Sequence, residues 1–342
     1  MTCKHKDQID RIMQDCHTRV MAVCNQCDCD EPVEPPPPPP PPPPPSGKYV
    51  RVQLGTNKIL SPDGNPETFS VITWENPFED KIPKITHQDI IRFMDYMIEI
   101  GGNCILLKAN SWMVDDSGRN FLQHRFTGLK NLVQAAEARG IYVIINLFDT
   151  WARAKGTNTY TTDNNQHPIN AWNKGHTEAA AEYVKKMARE FCPYPRVMFE
   201  LGNEMEWGHH SQDYQTFVWM AKNHLLPHFY AIAGNDRPIG VSEGKLWQLP
   251  VNVVFNHNPL SMPFVNASDR PVITNELASG SGLWKHDAIT NLANVNRYKA
   301  AVDKAKNHNH SGCAAATGLV IKHLPLQGSP EDKVLRYLSS IF

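Results

Sequence analysis

The sequence predicts an α/β fold in which eight parallel strands close into a barrel. From residue 48 onward, short apolar runs alternate with helical patterns, as in successive strand–helix–strand units. Eight strand-like runs follow one another, which is the number that closes a (β/α)8 TIM barrel. The links between the fifth, sixth and seventh runs are too short for full helices, so we expect a reduced outer helix ring. A doubly wound open sheet is the alternative.

The strands and helices are placed by their apolar patterns and by the residues that end them. Predicted strands occupy 69–74, 103–108, 141–147, 197–201, 238–242, 251–256 and 271–275, and the last lies within 313–321. Predicted helices occupy 86–100, 129–138, 177–191, 214–233, 287–306 and 332–340. Gly101 and Gly140 are expected to end the first two helices, and Pro227 is expected to kink or break the fourth.

An unbroken run of prolines at 35–45 divides the chain. Proline fixes φ and has no N–H to donate, so this run joins neither a helix nor a sheet. It is expected to form a polyproline II rod of about 34 Å, at roughly 3.1 Å per residue. The sequence therefore predicts a small segment at 1–31, a polyproline linker at 32–47 and a barrel at 48–342. A ligand for a proline-binding module is the alternative interpretation of the run.

The segment 1–31 is rich in cysteine and has a partly helical apolar pattern. The stretch Cys-Asn-Gln-Cys-Asp-Cys at 24–29, with Cys16, His17 and His5 nearby, contains enough ligands for a zinc ion. The alternative is a short tail helix with incidental thiols that anchors or oligomerises the protein. This second interpretation implies an anchoring partner for the segment.

Composition argues against several classes of function. The formal net charge of −1 gives no electrostatic basis for binding nucleic acid or an anionic membrane. No apolar run approaches the roughly 20 residues of a membrane-spanning helix. The N-terminus lacks the apolar core of a signal peptide, so we expect a cytoplasmic protein, or one that is released or associated with a virus particle. The sequence contains no phosphate-binding glycine loop and no strong metal motif in the barrel, so we expect no cofactor there.

Carboxylates follow two of the predicted strands at the point where each strand ends. The fourth strand runs into Asn203 and Glu204, and the seventh runs into Glu276. In a parallel barrel the active site lies at the C-terminal ends of the strands, so these two glutamates are expected to meet across one mouth. The sixth strand runs into His257, which adds an imidazole between them.

These motifs resemble those of the clan A retaining glycoside hydrolases, the group that includes family five cellulases and mannanases. The stretch Val-x-Phe-Glu-Leu-x-Asn-Glu at 197–204 carries the strongest part of the likeness. The stretch 270–276, in which Arg-Pro-Val leads to a glutamate, is similar to the family's nucleophile strand. The Asn-His pair at 256–257 resembles the end of the family's sixth strand. In element order the resemblance covers most of 48–342.

The resemblance implies a retaining glycosidase that acts on a β-linked oligo- or polysaccharide. It assigns Glu204 as the general acid/base and Glu276 as the nucleophile. Asn203 would hydrogen-bond the sugar 2-hydroxyl, and His257 would orient a carboxylate or contact the sugar. Glu200 lies four residues before Glu204 in the same strand, and we interpret it as a buried structural carboxylate.

Tryptophans at the strand ends are candidates for a platform under the sugar, because sugar rings present apolar C–H faces that stack on an indole. Six follow predicted strands: Trp74, Trp112, Trp151, Trp207, Trp247 and Trp284. Trp207 and Trp284 come soonest after the two glutamates and are the first candidates, followed by Trp74 and Trp151. Filling of the core is the alternative role for any one of them.

The chain departs from the family pattern at several strand ends. The second strand lacks the family's arginine, and the sequence offers Lys108 or Asn110 as a substitute. The third strand is followed by Phe148 and Asp149 where histidine is usual, and Pro259 stands in place of a tyrosine. Two further hypotheses therefore stay open. One is a glycan-binding barrel that has lost activity, and the other is an unrelated barrel hydrolase that uses a metal.

Overall fold

The computed structural model of the chain describes residues 49–74, 87–109, 114–115, 117–148, 169, 171, 173–203, 211–242, 249–257, 270–276, 313–314, 327–328, 332–333 and 336. The predicted segment 1–31, the linker 32–47 and the helix 287–306 lie outside the described residues. Most of the predicted helix 332–340 lies outside them as well.

Among the described residues, eight parallel strands form one sheet that curls back on itself. They share one direction and are β3 (Ser70–Trp74), β4 (Cys104–Lys108), β5 (Tyr142–Asn146), β6 (Val197–Gly202), β7 (Ile239–Ser242), β8 (Val253–His257), β9 (Val272–Glu276) and β10 (Cys313–Ala314). A hairpin of β1 (Arg51–Gln53) and β2 (Lys58–Leu60), which the sequence did not predict, precedes them. β10 pairs with β3 and also lies beside β9. The predicted TIM barrel is confirmed, and the open-sheet alternative is wrong.

The helices cover the first four connections of the barrel. They are α1 (His87–Glu99), α2 (Gln123–Glu137), α3 (Thr177–Phe191), α4 (Ser211–Met220) and α5 (Leu226–Ala233). The described residues of the next two connections, 249–252 and 270–271, form no helix, which agrees with the predicted reduced ring. None of the described helices is both long enough and apolar enough to cross a membrane.

The ends of the helices agree with the predicted ones except at the start of α2 and near Pro227. Gly101 and Gly140 have φ of +83° and +72° and follow α1 and α2, as predicted. α2 begins six residues before its predicted start, because the Phe126 ring stacks on that of Phe121 at 3.8 Å between centroids. The expected break near Pro227 is a π-helical turn at Ala221–Leu225, after which the proline lies in the first turn of α5.

Apolar residues dominate the barrel strands because both faces of the sheet are covered. Every residue of β5 and β6 is buried. Phe199 of β6 packs edge-on against Phe229 of α5, with 5.0 Å between ring centroids. Side chains alternate along a strand, so Met198 and Glu200 face the barrel axis.

Gly240 of β7 leaves room inside the barrel for the ring of Phe255. A Cβ at this glycine would lie 2.6 Å from Phe255 Cε2 and 2.8 Å from the carbonyl oxygen of Val253. Neither distance is compatible with a methyl group, and the second involves backbone, which cannot swing away. The packing of the barrel therefore requires glycine at this position.

The chain that follows the predicted linker is fastened to the N-terminal ends of the strands, the barrel floor. The hydroxyl of Tyr49 donates to Asp236 Oδ1 at 2.7 Å, and the guanidinium of Arg237 lies 4.1 Å from the centroid of the Tyr49 ring. Backbone hydrogen bonds join Val50 to Pro195 and Val52 to Asp236, both at 2.8 Å.

Arg237 is buried at this floor and ties it to the end of α3. Its guanidinium donates to the carbonyl oxygens of Cys192 at 2.7 Å, Val197 at 3.3 Å and Tyr194 at 3.4 Å. Residue 192 caps α3, so the positive charge lies at the end of the helix that carries the negative pole of its dipole. Arg237 thereby holds Tyr49, α3 and β7 together.

We expect Gly240→Ala to lower the free energy of unfolding by about 1–3 kcal/mol, because the added methyl group overpacks the barrel interior. Chemical denaturation followed by circular dichroism measures this difference. Combining it with Phe255→Leu, which removes the obstructing ring edge, should recover part of the loss relative to the sum of the single changes. A variant as stable as the wild type would show that Phe255 moves freely.

We expect Tyr49→Phe to lower the free energy of unfolding by about 0.5–1.5 kcal/mol at pH 7, because it removes the hydrogen bond to Asp236. Burial, followed by that hydrogen bond, raises the pKa of Tyr49 from 10.0 to about 12. The folded state therefore holds the proton that the unfolded state releases near pH 10, and the contribution falls as the pH rises toward 12. The gap between wild type and variant should narrow above pH 10. A gap that widens there would contradict this linkage.

Candidate active site

The described sheet has two register shifts, and both lie at the C-terminal ends of strands that lead into the candidate glutamates. Between β6 and β7 the pairing steps from Glu200 to Gly202 while its partners step by one residue. Between β8 and β9 the pairing steps by one residue in β8, from Asn256 to His257, and by two residues in β9, from Thr274 to Glu276. A bulge of this kind bends the strand and re-aims the side chains that follow it. The regular pairing of the barrel is therefore broken where the candidate pair begins.

A buried amide–carboxyl pair lies one layer below the mouth. Asn146, at the end of β5, is the register partner of Glu200, and both side chains are fully buried. Asn146 Nδ2 donates to Glu200 Oε2 at 2.9 Å and to the carbonyl oxygen of Phe148 at 3.1 Å. Asn146 Oδ1 has no hydrogen-bond partner within the described part of the chain. The burial of Glu200 agrees with its interpretation as a structural carboxylate.

The carbonyl oxygen of Phe148 also connects this pair to Asn203. The backbone N–H of Asn203 donates to Phe148 O at 2.9 Å. Its side-chain Oδ1 accepts a hydrogen bond from the hydroxyl of Ser242, at the end of β7, at 3.0 Å. Asn203 is only 1% exposed, and Ser242 is fully buried. Hydrogen bonds thus run from Glu200 through Asn146, Phe148 and Asn203 to Ser242, and we call this chain the mouth network.

The mouth network fixes the position of Asn203, the residue directly before Glu204. Its members lie at the ends of three adjacent strands, β5, β6 and β7, and a buried polar group that loses its partner carries a large penalty. The network therefore restricts both the backbone and the amide of Asn203. Glu204 follows directly in the sequence.

The other predicted site residues are described only in part. His257 and Glu276 are register partners at the ends of β8 and β9, and Trp74 ends β3, so these three backbones lie at the same end of the barrel as Asn203. Only the backbone of these three residues is described. The remaining candidates lie outside the described residues: Glu204, Trp151, Trp207 and Trp284.

Two members of the mouth network, Asn146 and Ser242, were not predicted. Asn146 gives a signal in the sequence, since it is the only polar side chain among the apolar residues of the third predicted strand apart from a tyrosine. Ser242 gives no comparable signal, because a serine at a strand end is common in any loop. Among the described residues no group of three or more His, Cys, Asp or Glu side chains is arranged to hold a metal ion.

Residues 73–261 of the 342 match the family model of cellulase, glycosyl hydrolase family 5. The chain belongs to glycosyl hydrolase family 5. The family 5 match contains Asn203, Glu204 and His257, and it ends before β9, the strand that carries Glu276. The sequence has no significant match among curated proteins.

Solved family 5 structures share this fold. A family 5 glycoside hydrolase from Bacteroides vulgatus ATCC 8482 has a TM-score of 0.55 and 12% identity, over 82% of this chain and 64% of that one. An exo-β-1,4-mannosidase from Opitutaceae bacterium strain TAV5 has a TM-score of 0.58 and 13% identity, over 84% and 61%. For a broad-specificity endoglucanase from an uncultured bacterium the values are 0.58 and 13%, over 80% and 94%. The chain thus spans less than two thirds of the first two proteins.

We expect Asn146→Leu to lower the free energy of unfolding by about 1–3 kcal/mol, because it leaves the buried carboxyl of Glu200 without the amide donor. Glu200→Met should be destabilising on its own for the corresponding reason. The double variant should lose less than the sum of the two, by about 0.5–3 kcal/mol of coupling, because neither group is then left without the other. Strictly additive losses in urea denaturation would contradict the direct pairing of these side chains.

Proposed function

We propose that this family 5 protein is a retaining glycoside hydrolase that cleaves a β-linked glycan by double displacement. Glu204 acts as the general acid/base and Glu276 as the nucleophile. The observation that carries the proposal is the mouth network, which fixes Asn203, the residue directly before Glu204, at the mouth of a family 5 barrel. The register partnership of His257 and Glu276 at the same end of the barrel supports the second assignment.

The proposed first step exchanges the glycosidic bond for an ester. The ionised carboxylate of Glu276 attacks the anomeric carbon, and the bond from that carbon to the leaving oxygen breaks. The protonated Glu204 gives its proton to the leaving oxygen, so the departing sugar leaves as a neutral alcohol. The product is a glycosyl ester of Glu276, formed through a transition state with oxocarbenium character.

The proposed second step returns the enzyme to its starting state. Glu204, now ionised, takes a proton from a water molecule as the water oxygen attacks the anomeric carbon. The ester bond to Glu276 breaks, and the sugar leaves with the same anomeric configuration as the substrate. The two carboxyl groups should lie about 5–5.5 Å apart, because the nucleophile must reach the anomeric carbon directly.

The remaining candidates would bind and orient the sugar. Asn203 would donate a hydrogen bond from Nδ2 to the 2-hydroxyl, an interaction that strengthens in the transition state. His257 would orient a carboxylate or contact the sugar. The tryptophans proposed for the sugar platform are Trp74, Trp151, Trp207 and Trp284.

The family suggests which glycans to test first. One similar structure is an exo-β-1,4-mannosidase and another is a broad-specificity endoglucanase. Mannans and glucans are therefore the first substrates for a panel. We also propose that residues 1–31 anchor the enzyme through the predicted linker at 32–47.

A glycan-binding barrel without activity is the second candidate function. It is favoured by the absence of an arginine from β4, where Lys108 ends the strand as the register partner of Asn146. On this hypothesis the wild type binds a glycan but does not hydrolyse it. Glu204→Ala would then leave the glycan affinity unchanged.

We expect an aryl 2-deoxy-2-fluoro-β-glycoside to label Glu276 covalently. The fluorine slows both steps by destabilising the positive charge at the anomeric carbon, while the aryl leaving group speeds the first step, so the glycosyl ester accumulates. Peptide mass spectrometry locates the adduct. Glu276→Gln should take up no label, and Glu204→Gln should lower kcat/KM about 10²–10⁴-fold on a natural glycan.

Glu178→Gln is the matched control, because this side chain is 79% exposed on α3 and pairs with Arg119 on the surface. It should keep wild-type kcat/KM. An adduct on a residue other than Glu276, or a fully active Glu204→Gln, would contradict the assigned roles. Binding of the glycan without turnover in the wild type would favour the second candidate.

A further inference from the structure

Ser242 makes a contact that the proposed mechanism does not use. It ends β7, its side chain is fully buried, and its hydroxyl lies 3.0 Å from Asn203 Oδ1 and 3.4 Å from the carbonyl oxygen of Gly202. Gly202 ends β6 and Asn203 follows it, so both acceptors come directly after the register shift at Glu200. Through Ser242, the end of β7 therefore contacts the irregular C-terminal end of β6.

The hydrogen bond from Ser242 selects one orientation of the Asn203 amide. The two ends of an amide group differ, since the oxygen only accepts and the nitrogen only donates. When the Ser242 hydroxyl donates to Oδ1, the Nδ2 end turns away from β7. The backbone of Asn203 is already fixed by Phe148 O, so rotation of the side chain is the freedom that Ser242 removes.

We propose that Ser242 is a positioning residue that aims Asn203 Nδ2 at the 2-hydroxyl of the sugar undergoing cleavage. This inference rests on the proposed function. A donor that is held in place before the reaction needs no reorganisation as charge develops on the sugar ring, and this preorganisation is a main source of transition-state stabilisation. In this role Ser242 acts through Asn203 and needs no contact with a reacting atom.

Three variants and two substrates test this role. The variants are Ser242→Ala, Asn203→Ala and the double substitution. The substrates are the aryl β-glycoside that the wild type cleaves fastest and the same glycoside without the 2-hydroxyl on the sugar that is cleaved. Ser242→Ala should lower kcat/KM roughly 10- to 100-fold on the first substrate, because small displacements of a positioned group are costly. On the 2-deoxy substrate it should lower kcat/KM less than about 3-fold, because no 2-hydroxyl is present to be mispositioned.

The double variant separates positioning from a general loss of structure. If Ser242 acts only through Asn203, the double variant should be as impaired as Asn203→Ala alone, so the two effects are not additive. Ser70→Ala is the matched control. Ser70 is a buried serine at the start of β3, at the floor of the barrel, and its hydroxyl has no partner among the residues described. It should keep wild-type kcat/KM on both substrates.

The outcomes distinguish the inference from the function on which it rests. Equal losses on both substrates, or additive effects in the double variant, would overturn the positioning role of Ser242. An impaired Asn203→Ala beside an unimpaired Ser242→Ala would also overturn it, while leaving the proposed function intact. A wild type that cleaves neither substrate nor any glycan of the panel would overturn the proposed function and this inference together.

Discussion

The buried hydrogen bonds at the ends of β5, β6 and β7 are the constraint on which the candidate site depends. The carbonyl oxygen of Phe148 accepts from both Asn146 and Asn203, so one atom joins the buried carboxyl layer to the residue before Glu204. In an apolar interior each of these polar groups is costly without its partner, so the hydrogen bonds between them restrict how the three strand ends are arranged. The shift in the pairing of β6 with β7 lies at Glu200–Gly202, within the segment that these hydrogen bonds surround.

The two ends of the barrel have different buried contacts. At the floor, Arg237 donates to three carbonyl oxygens and covers the ring of Tyr49, which closes that end of the barrel. At the mouth, the buried polar side chains of Asn146, Glu200, Asn203 and Ser242 replace apolar ones. Identities of 12–13% to solved family 5 structures show that the barrel fold requires little specific sequence, since short apolar strands buried on both faces specify it.

The sequence allowed the barrel to be predicted because strands such as β5 and β6 are buried on both faces and form short apolar runs between turn residues. It also indicated that Asn203, His257 and Glu276 lie near strand ends. In the structure Asn203 directly follows β6, and His257 and Glu276 are the last residues of β8 and β9. The sequence did not reveal the hairpin of β1 and β2 or the early start of α2, because tertiary contacts stabilise both. The bulges and the role of Ser242 were hidden for a similar reason, since strand register depends on residues distant in the sequence.

The central claim is that the mouth network brings Glu204 and Glu276 together as a retaining pair. A crystal structure of the full chain measures this most directly, through the distance between the two carboxyl carbons. We expect about 5–5.5 Å, with both side chains facing the same mouth. A separation above about 6.5 Å, as in inverting enzymes, or glutamates that face opposite ends of the barrel, would contradict the claim.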